Sequence, residues 1–180
     1  MTKIATISSN NITPRDEVIA FIYECICCVF MGLSLRNWNH IAMFLITLPF
    51  FIIITLVIHE YIHILFFKIF SKEAKIKVIN DNFKNIYIYQ YNKNVFYTKL
   101  QTITILLSPL VFISFITWLL LQICNETILV SISVNGIINA MGAMTDVVLS
   151  LKLLTFKDKI FINYEKKENI ILNIFVKKGE

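Results

Sequence analysis

The sequence predicts an all-α polytopic membrane protein, with about four transmembrane helices and small cytoplasmic β-hairpins. Three observations predict it. Hydrophobic residues make up 57% of the 180 residues and charged ones only 16%, and the mean hydropathy is +0.69, well outside the soluble norm. The apolar residues gather into four long segments, 18–35, 41–70, 100–123 and 127–151. The net charge of +5 belongs to two polar segments, 71–99 and 152–180, a pattern of membrane topology before nucleic-acid binding. No basic, aromatic-interleaved motif is visible, so no nucleic-acid partner is expected.

Taken in order, residues 1–15 are polar and lack an apolar core with a small-residue cleavage site, so no removable signal peptide is evident. Segment 18–35 is just long enough to span and carries Glu24. Segment 41–70 would be about 45 Å long as a helix. It must therefore tilt, kink near Pro49, or run out of the bilayer beside Lys68. Segment 100–123 contains Ser108-Pro109, and segment 127–151 ends at Lys152. Between the second and third, Ile76, Val78 and the run Ile86-Tyr87-Ile88-Tyr89 flank the turn-prone Asn80-Asp81-Asn82, which reads as a hairpin over 74–91. Residues 159–164 and 170–176, on either side of the polar run 165–169, read as a second hairpin. Gly and Pro are few and there is no repeat, so 1–180 is read as one membrane-embedded domain. Cys25, Cys27 and Cys28 crowd one apolar segment, where adjacent positions converge poorly on one metal; they read as buried small apolar residues.

Charge sets the orientation. Loop 71–99 holds Lys72, Lys75, Lys77, Lys84, Lys93 and Lys99, and the tail holds Lys152, Lys157, Lys159, Lys166, Lys167, Lys177 and Lys178, whereas the connection at Asn125-Glu126 holds none. Loop and tail are therefore expected in the cytoplasm, and with four spans so is the N-terminus with Lys3 and Arg15. The abundance of Ile, Asn, Lys and Phe suggests an AT-rich genome, and the expected location is a prokaryotic cell membrane.

Chemistry enters at His59-Glu60-Tyr61-Ile62-His63, set within the apolar segment 41–70. Ionisable groups are costly there and mark a functional site. Two histidines at i and i+4 share one helix face with a glutamate directly after the first, which is the spacing of a zinc-binding helix. The plainer alternative is a pair of histidines making interhelical hydrogen bonds. A catalytic zinc needs a third protein ligand and an open position. His40 lies near the other end of the span, Glu24 sits in the first segment, and Asp146 is the acidic residue inside the fourth, at a depth similar to His63. Asn135, Asn139, Gly142 and Asp146 are spaced four, three and four, one stripe of a helix. Gly136, Ala140 and Ala143 beside it would let a neighbour approach closely. Asn135 and Asn139 are candidates for substrate or oxyanion contacts, or for ordinary interhelical bonding.

The order of His59-Glu60-x-x-His63, a β-rich loop, Ser108-Pro109, and Asn139-x-x-Gly142-Ala143-x-x-Asp146 resembles the putative zincin peptidases, which are similar to the site-2 protease class of intramembrane metalloproteases. The resemblance covers roughly residues 41–156. Val147 follows Asp146 where that class usually has glycine. The resemblance implies Zn2+ on His59, His63 and Asp146, Glu60 as general base, and a membrane-protein or peptide substrate met in the lipid bilayer. The residues agree with it: Glu60 is held beside the ligands as a base, and Asn139 is a donor for a developing oxyanion. The hairpin 74–91 is a candidate clamp for an extended substrate. Competing readings are a catalytically idle binding or regulatory protein, which would have lost a motif residue, and a metal-transit protein, which would want more than one site along its path. Hydrolysis of a lipid or other non-peptide amide fits the same zinc machinery.

Overall fold

The computed structural model describes residues 1–11, 13–34, 41–73, 76–81, 85–90, 95–124, 126–156, 159–166 and 170–177. His40, Asn82, Asn125 and six of the lysines used for orientation (75, 84, 93, 157, 167 and 178) lie outside them. Along the chain come β1 (Thr2–Ser8), α1 (Pro14–Ser34), α2 (Ile41–Phe70), β2 (Ile76–Asp81), β3 (Asn85–Gln90), β4 (Tyr97–Thr98), α3 (Lys99–Ile123), α4 (Glu126–Gly142), α5 (Met144–Leu154), β5 (Phe161–Lys166) and β6 (Ile170–Val176).

The helices distribute polarity inside out. Phe50, Ile53, Leu56, Val57 and Tyr61 of α2 and Val111, Phe115 and Trp118 of α3 are exposed, while Thr55, His59, His63, Ser108, Ser131, Asn139, Asp146 and Ser150 are buried. Water would penalise both halves of that arrangement; a hydrocarbon solvent favours both. Residues Pro49–Phe70 and Lys99–Ile123 are each long and apolar enough to cross a membrane. Residues Ile128–Gly142 and Met144–Leu154, bent by 45° at the join, make a third crossing if taken as one span. The sequence reading of 127–151 as a single helix is therefore corrected. The chain turns at Ala143, whose amide is shared between the carbonyls of Asn139 and Ala140, at 3.0 and 3.2 Å. Helix α1 carries Arg15, Asp16, Glu17 and Glu24 and is not among the spans found in the described residues. Cys27 is buried as expected, but Cys25 and Cys28 are exposed, because positions 25, 27 and 28 cannot share one face of a helix.

The two expected hairpins are present, β2–β3 and β5–β6. They are not independent. They join one antiparallel sheet ordered β1-β6-β5-β3-β2, with β4 also paired to β5. Strand β1, in the polar N-terminal segment, was not foreseen; it pairs along β6 from Thr2↔Val176 to Ser8↔Ile171. Alternate residues Ile160, Ile162 and Tyr164, and Ile170, Leu172 and Ile174, form a buried face. That face packs on Phe67 of α2, Ile105 and Leu106 of α3, and Leu149 and Leu153 of α5. The Tyr164 ring meets Phe67 edge-on, with centroids 4.7 Å apart. Burial pushes the Tyr164 phenol well above its usual pKa, and the charges of Asp146 and Glu60 add to this. The sheet is thus a floor under one end of the helices. Two cavity-facing groups, Asp146 and Glu60, lie within electrostatic reach of it.

The small residues do what their size allows. A Cβ on Gly136 would lie 2.7 Å from Thr117 Cγ2 and 2.9 Å from its Oγ1, so α4 rests directly on α3 there. Gly136→Ala is expected to cost about 1–3 kcal/mol by overpacking, read as a lower melting temperature in detergent. Thr117→Ala in the same chain should recover most of the loss.

Outside the bundle, the Asp16 carboxylate accepts from Lys152 Nζ at 2.7 Å and from the Thr13 amide and hydroxyl at 2.7 and 2.6 Å. Lys152 also donates to the Asn11 carbonyl at 2.9 Å, pinning the start of α1 to the end of α5. Burial raises the Asp16 pKa, but Lys152 and Thr13 outweigh it and hold the group down to about 2. A depressed carboxyl stabilises the fold above its unfolded value of about 3.9 and ceases to as pH falls through the folded value. The stability gap between the wild type and Asp16→Asn should therefore be full at pH 5 and shrink steadily towards pH 2, measured by thermal unfolding across that range.

Candidate metal centre

Two parallel rows of side chains build the site. Thr55, His59 and His63 stand on successive turns of α2, and Asn135, Asn139 and Asp146 face them from α4 and α5. Asn135 Nδ2 donates to Thr55 Oγ1 at 2.6 Å. One turn on, His59 Nδ1 lies 3.0 Å from Asn139 Oδ1. One turn further, Asp146 Oδ2 lies 3.5 Å from His59 Nε2 and 3.4 Å from His63 Nε2. Both rows advance together along the chain, so α2 and the α4–α5 pair run in the same direction.

The bend at Ala143 puts Asp146 in the first turn of α5, where the unpaired amides of the helix N-terminus favour a carboxylate. Helix α1 supports that bend. Tyr23 Oη donates to the Ala140 carbonyl at 2.6 Å.

His63 Nδ1 lies 2.9 Å from the carbonyl oxygen of Ile105 on α3. A carbonyl only accepts, so Nδ1 carries the proton and Nε2 presents its lone pair. Asn139 Oδ1 imposes the same tautomer on neutral His59. The two Nε2 atoms are 3.2 Å apart. With both imidazoles neutral, two nitrogen lone pairs and a carboxylate converge on one point, all three side chains buried. Acceptors gathered without a donor repel one another, and a cation among them removes the conflict.

The dimensions fit a particular ion. Tetrahedral zinc with bonds of about 2.0–2.1 Å separates its ligand atoms by about 3.3–3.4 Å, and the triangle here measures 3.2, 3.4 and 3.5 Å. Two nitrogens and an oxygen form a donor set that zinc accepts, with a fourth position left to one side. That side is a polar cavity of about 330 Å³ lined by Ser9, His59, Glu60, His63, Gly142, Thr145, Asp146 and Ile170. Glu60, partly exposed, stands on its wall.

The structure thus brings together His59, Glu60, His63 and Asp146, with Asn139 behind His59. Asn135 lies elsewhere: it borders a separate apolar cavity between α2, α3 and α4, with Phe51, Ile58, Ile113 and Leu120. Its contact with Thr55 is ordinary interhelical bonding. Among the described residues, the sheet reaches the metal cavity through Ser9 and Ile170, at the ends of β1 and β6, whereas β2–β3 occupies the opposite edge of the sheet. Sequence reasoning missed Tyr23 and Ser9, which belong to no motif. It also missed the Ile105 carbonyl, a backbone group that no side-chain pattern announces; the one available signal was Pro109, four residues on.

The comparisons with known proteins bear on this site. No curated protein and no solved structure matches the chain. The sequence profile of a family described as "putative zincin peptidase" matches residues 52–161. The matched stretch takes in His59, Glu60, His63, Asn139 and Asp146 and leaves out β1, α1, β6 and all of β5 but Phe161. A zincin family implies zinc, in keeping with the donor set and its spacing, and supports a metallopeptidase in general. With well over half its length matched, the chain belongs to the putative zincin peptidase family.

Proposed function

We propose that this protein is an intramembrane zinc metalloprotease that hydrolyses a peptide bond of a membrane-associated substrate. The observation that carries the proposal is the convergence of His59, His63 and Asp146 on a buried point beside a polar cavity, in helices whose outer faces are apolar. His59 and His63 supply Nε2 atoms and Asp146 a carboxylate oxygen, while Asn139 and the Ile105 carbonyl hold the two imidazoles in orientation. Zinc, when bound, lowers the pKa of its water and polarises the scissile carbonyl. Glu60 follows a ligand directly in the helix and lines the same cavity. It takes the proton from the attacking water and delivers it to the leaving amine. Asn139 Nδ2 is buried and has no hydrogen-bond partner among the described residues. With Oδ1 turned to His59, this amide is assigned as a donor to the substrate's developing oxyanion, a role that requires it to turn from behind His59 into the cavity.

The proposal includes a direction. Loop 71–99 and the tail carry the lysines, and His63 and Asp146 sit seven and eight residues before the ends of α2 and α5 on that side. The centre then lies about 10–12 Å from the basic ends at 1.5 Å per residue. That depth is shallow enough for water to enter a polar cavity and deep enough to meet a peptide in the bilayer. The site is assigned to the cytoplasmic side of the cell membrane, with α1 as the fourth crossing.

Two experiments test this reading. Glu60→Gln should keep zinc content near that of the wild type while cleavage of a transmembrane substrate falls about 10²–10⁴-fold; unchanged turnover would remove Glu60 from the mechanism. Single cysteines in loop 71–99 and after Lys166, on a background lacking the four native cysteines, should be shielded from an impermeant thiol reagent in intact cells. Labelling of both from outside would invert the orientation.

A further inference from the structure

Helix α3 has a proline at position 109, in the middle of its length. In an uninterrupted α-helix the amide of residue 109 would bond the carbonyl of Ile105, and a proline has no amide to give. The proline ring also crowds the carbonyl four residues back and tilts it away from the helix axis. Ile105 is fully buried, so water cannot compensate, and its oxygen must find donors within the protein. It finds two, enough for both lone pairs: Ser108 Oγ at 2.9 Å and His63 Nδ1 at 2.9 Å. The first is a neighbour on the same helix. The second is a side chain of another helix whose Nε2 belongs to the metal triangle.

We propose that Pro109 is a positioning residue of the metal centre: by withholding an amide it reserves the Ile105 carbonyl for His63 Nδ1–H, which fixes that ring with Nε2 towards Asp146 and His59. The proposal rests on the reading of this triangle as a zinc site. A restored amide would draw the carbonyl back towards the axis of α3, away from α2. His63 would then lose its anchor and could take either tautomer. Pro109 itself is fully buried and is not among the residues that line the metal cavity. Its effect runs through one oxygen atom.

The test uses the full chain in detergent with two readouts: zinc affinity by chelator competition, and the imidazole 15N shifts of the metal-free protein, which has 3 histidines and is assigned with H63Q. Pro109→Ala restores the amide with a good helix former. It should weaken zinc binding about 10–100-fold and shift His63 from the Nδ1–H tautomer towards Nε2–H. Lactic acid incorporated at position 109, the ester counterpart of P109A, lacks both ring and N–H and should return both readouts towards wild type. Wild-type affinity and an unchanged tautomer in P109A would overturn the proposal. So would equal loss in P109A and its ester, since the ring and not the missing amide would then be responsible. If P109A does not fold, the ester variant and the wild-type tautomer still decide: an Nε2–H ring at His63 in the wild type contradicts the assignment. If the wild type binds no zinc, the metal reading fails, while the tautomer of His63 and its response to P109A still test the role of Pro109.

Discussion

Three hydrogen-bond acceptors aimed at one another inside an apolar bundle are the constraint on which the arrangement depends. His63 and His59 are each held by a partner that accepts at Nδ1, so their Nε2 lone pairs turn inward to Asp146. Isolated in hydrocarbon, such a cluster would be among the costliest features of the chain. A divalent cation among them would remove that conflict by taking the same atoms as ligands. On the proposed zinc reading folding and metal binding would be coupled, the free energy of coordination offsetting the desolvation of the carboxylate and of the helix faces that carry the ligands.

Irregular backbone is what lets regular helices supply that cluster. A straight helix consumes its own carbonyls and cannot offer them to neighbours. Here Pro109 releases one in α3, and the bend at Ala143 both starts a new helix just before Asp146 and presents the Ala140 carbonyl to Tyr23. Gly136 brings α4 against Thr117 of α3, close enough for the side-chain rows of α2 and α4–α5 to meet. The sheet then closes one end of the bundle. Phe67, Leu149 and Leu153 rest on its apolar face, and Ser9 and Ile170 at its rim become part of the cavity wall.

The convergence of His59, His63 and Asp146 was legible in the sequence because each is an ionisable residue in an apolar segment, where chance placement is expensive. His59 and His63 followed from helical spacing, and Asp146 from its depth in the last span. Asn139 was legible as a polar position on the stripe, but its contact with His59 required coordinates. The spans α2 and α3 could be read from hydropathy alone. The bend at Ala143 could not, since no proline marks it and the single Gly142 before it is tolerated within a helix. Both hairpins were visible as β-forming runs around polar turns. Their union through β3 and β5 was not, since it rests on the pair Gln90↔Lys166, nor was β1, whose partner in β6 is more than 160 residues away; pairing at such separations leaves no local pattern.

The most direct test is X-ray absorption at the zinc edge of the detergent-purified protein. The account predicts one zinc per chain, with a first shell of nitrogen and oxygen at about 2.0–2.1 Å and the outer-shell scattering of two imidazoles. Loss of that imidazole signal should follow substitution of either His59 or His63. A shell of sulfur at about 2.3 Å would place the metal on cysteine. A protein that retains no zinc under conditions where its fold is intact would contradict the account outright.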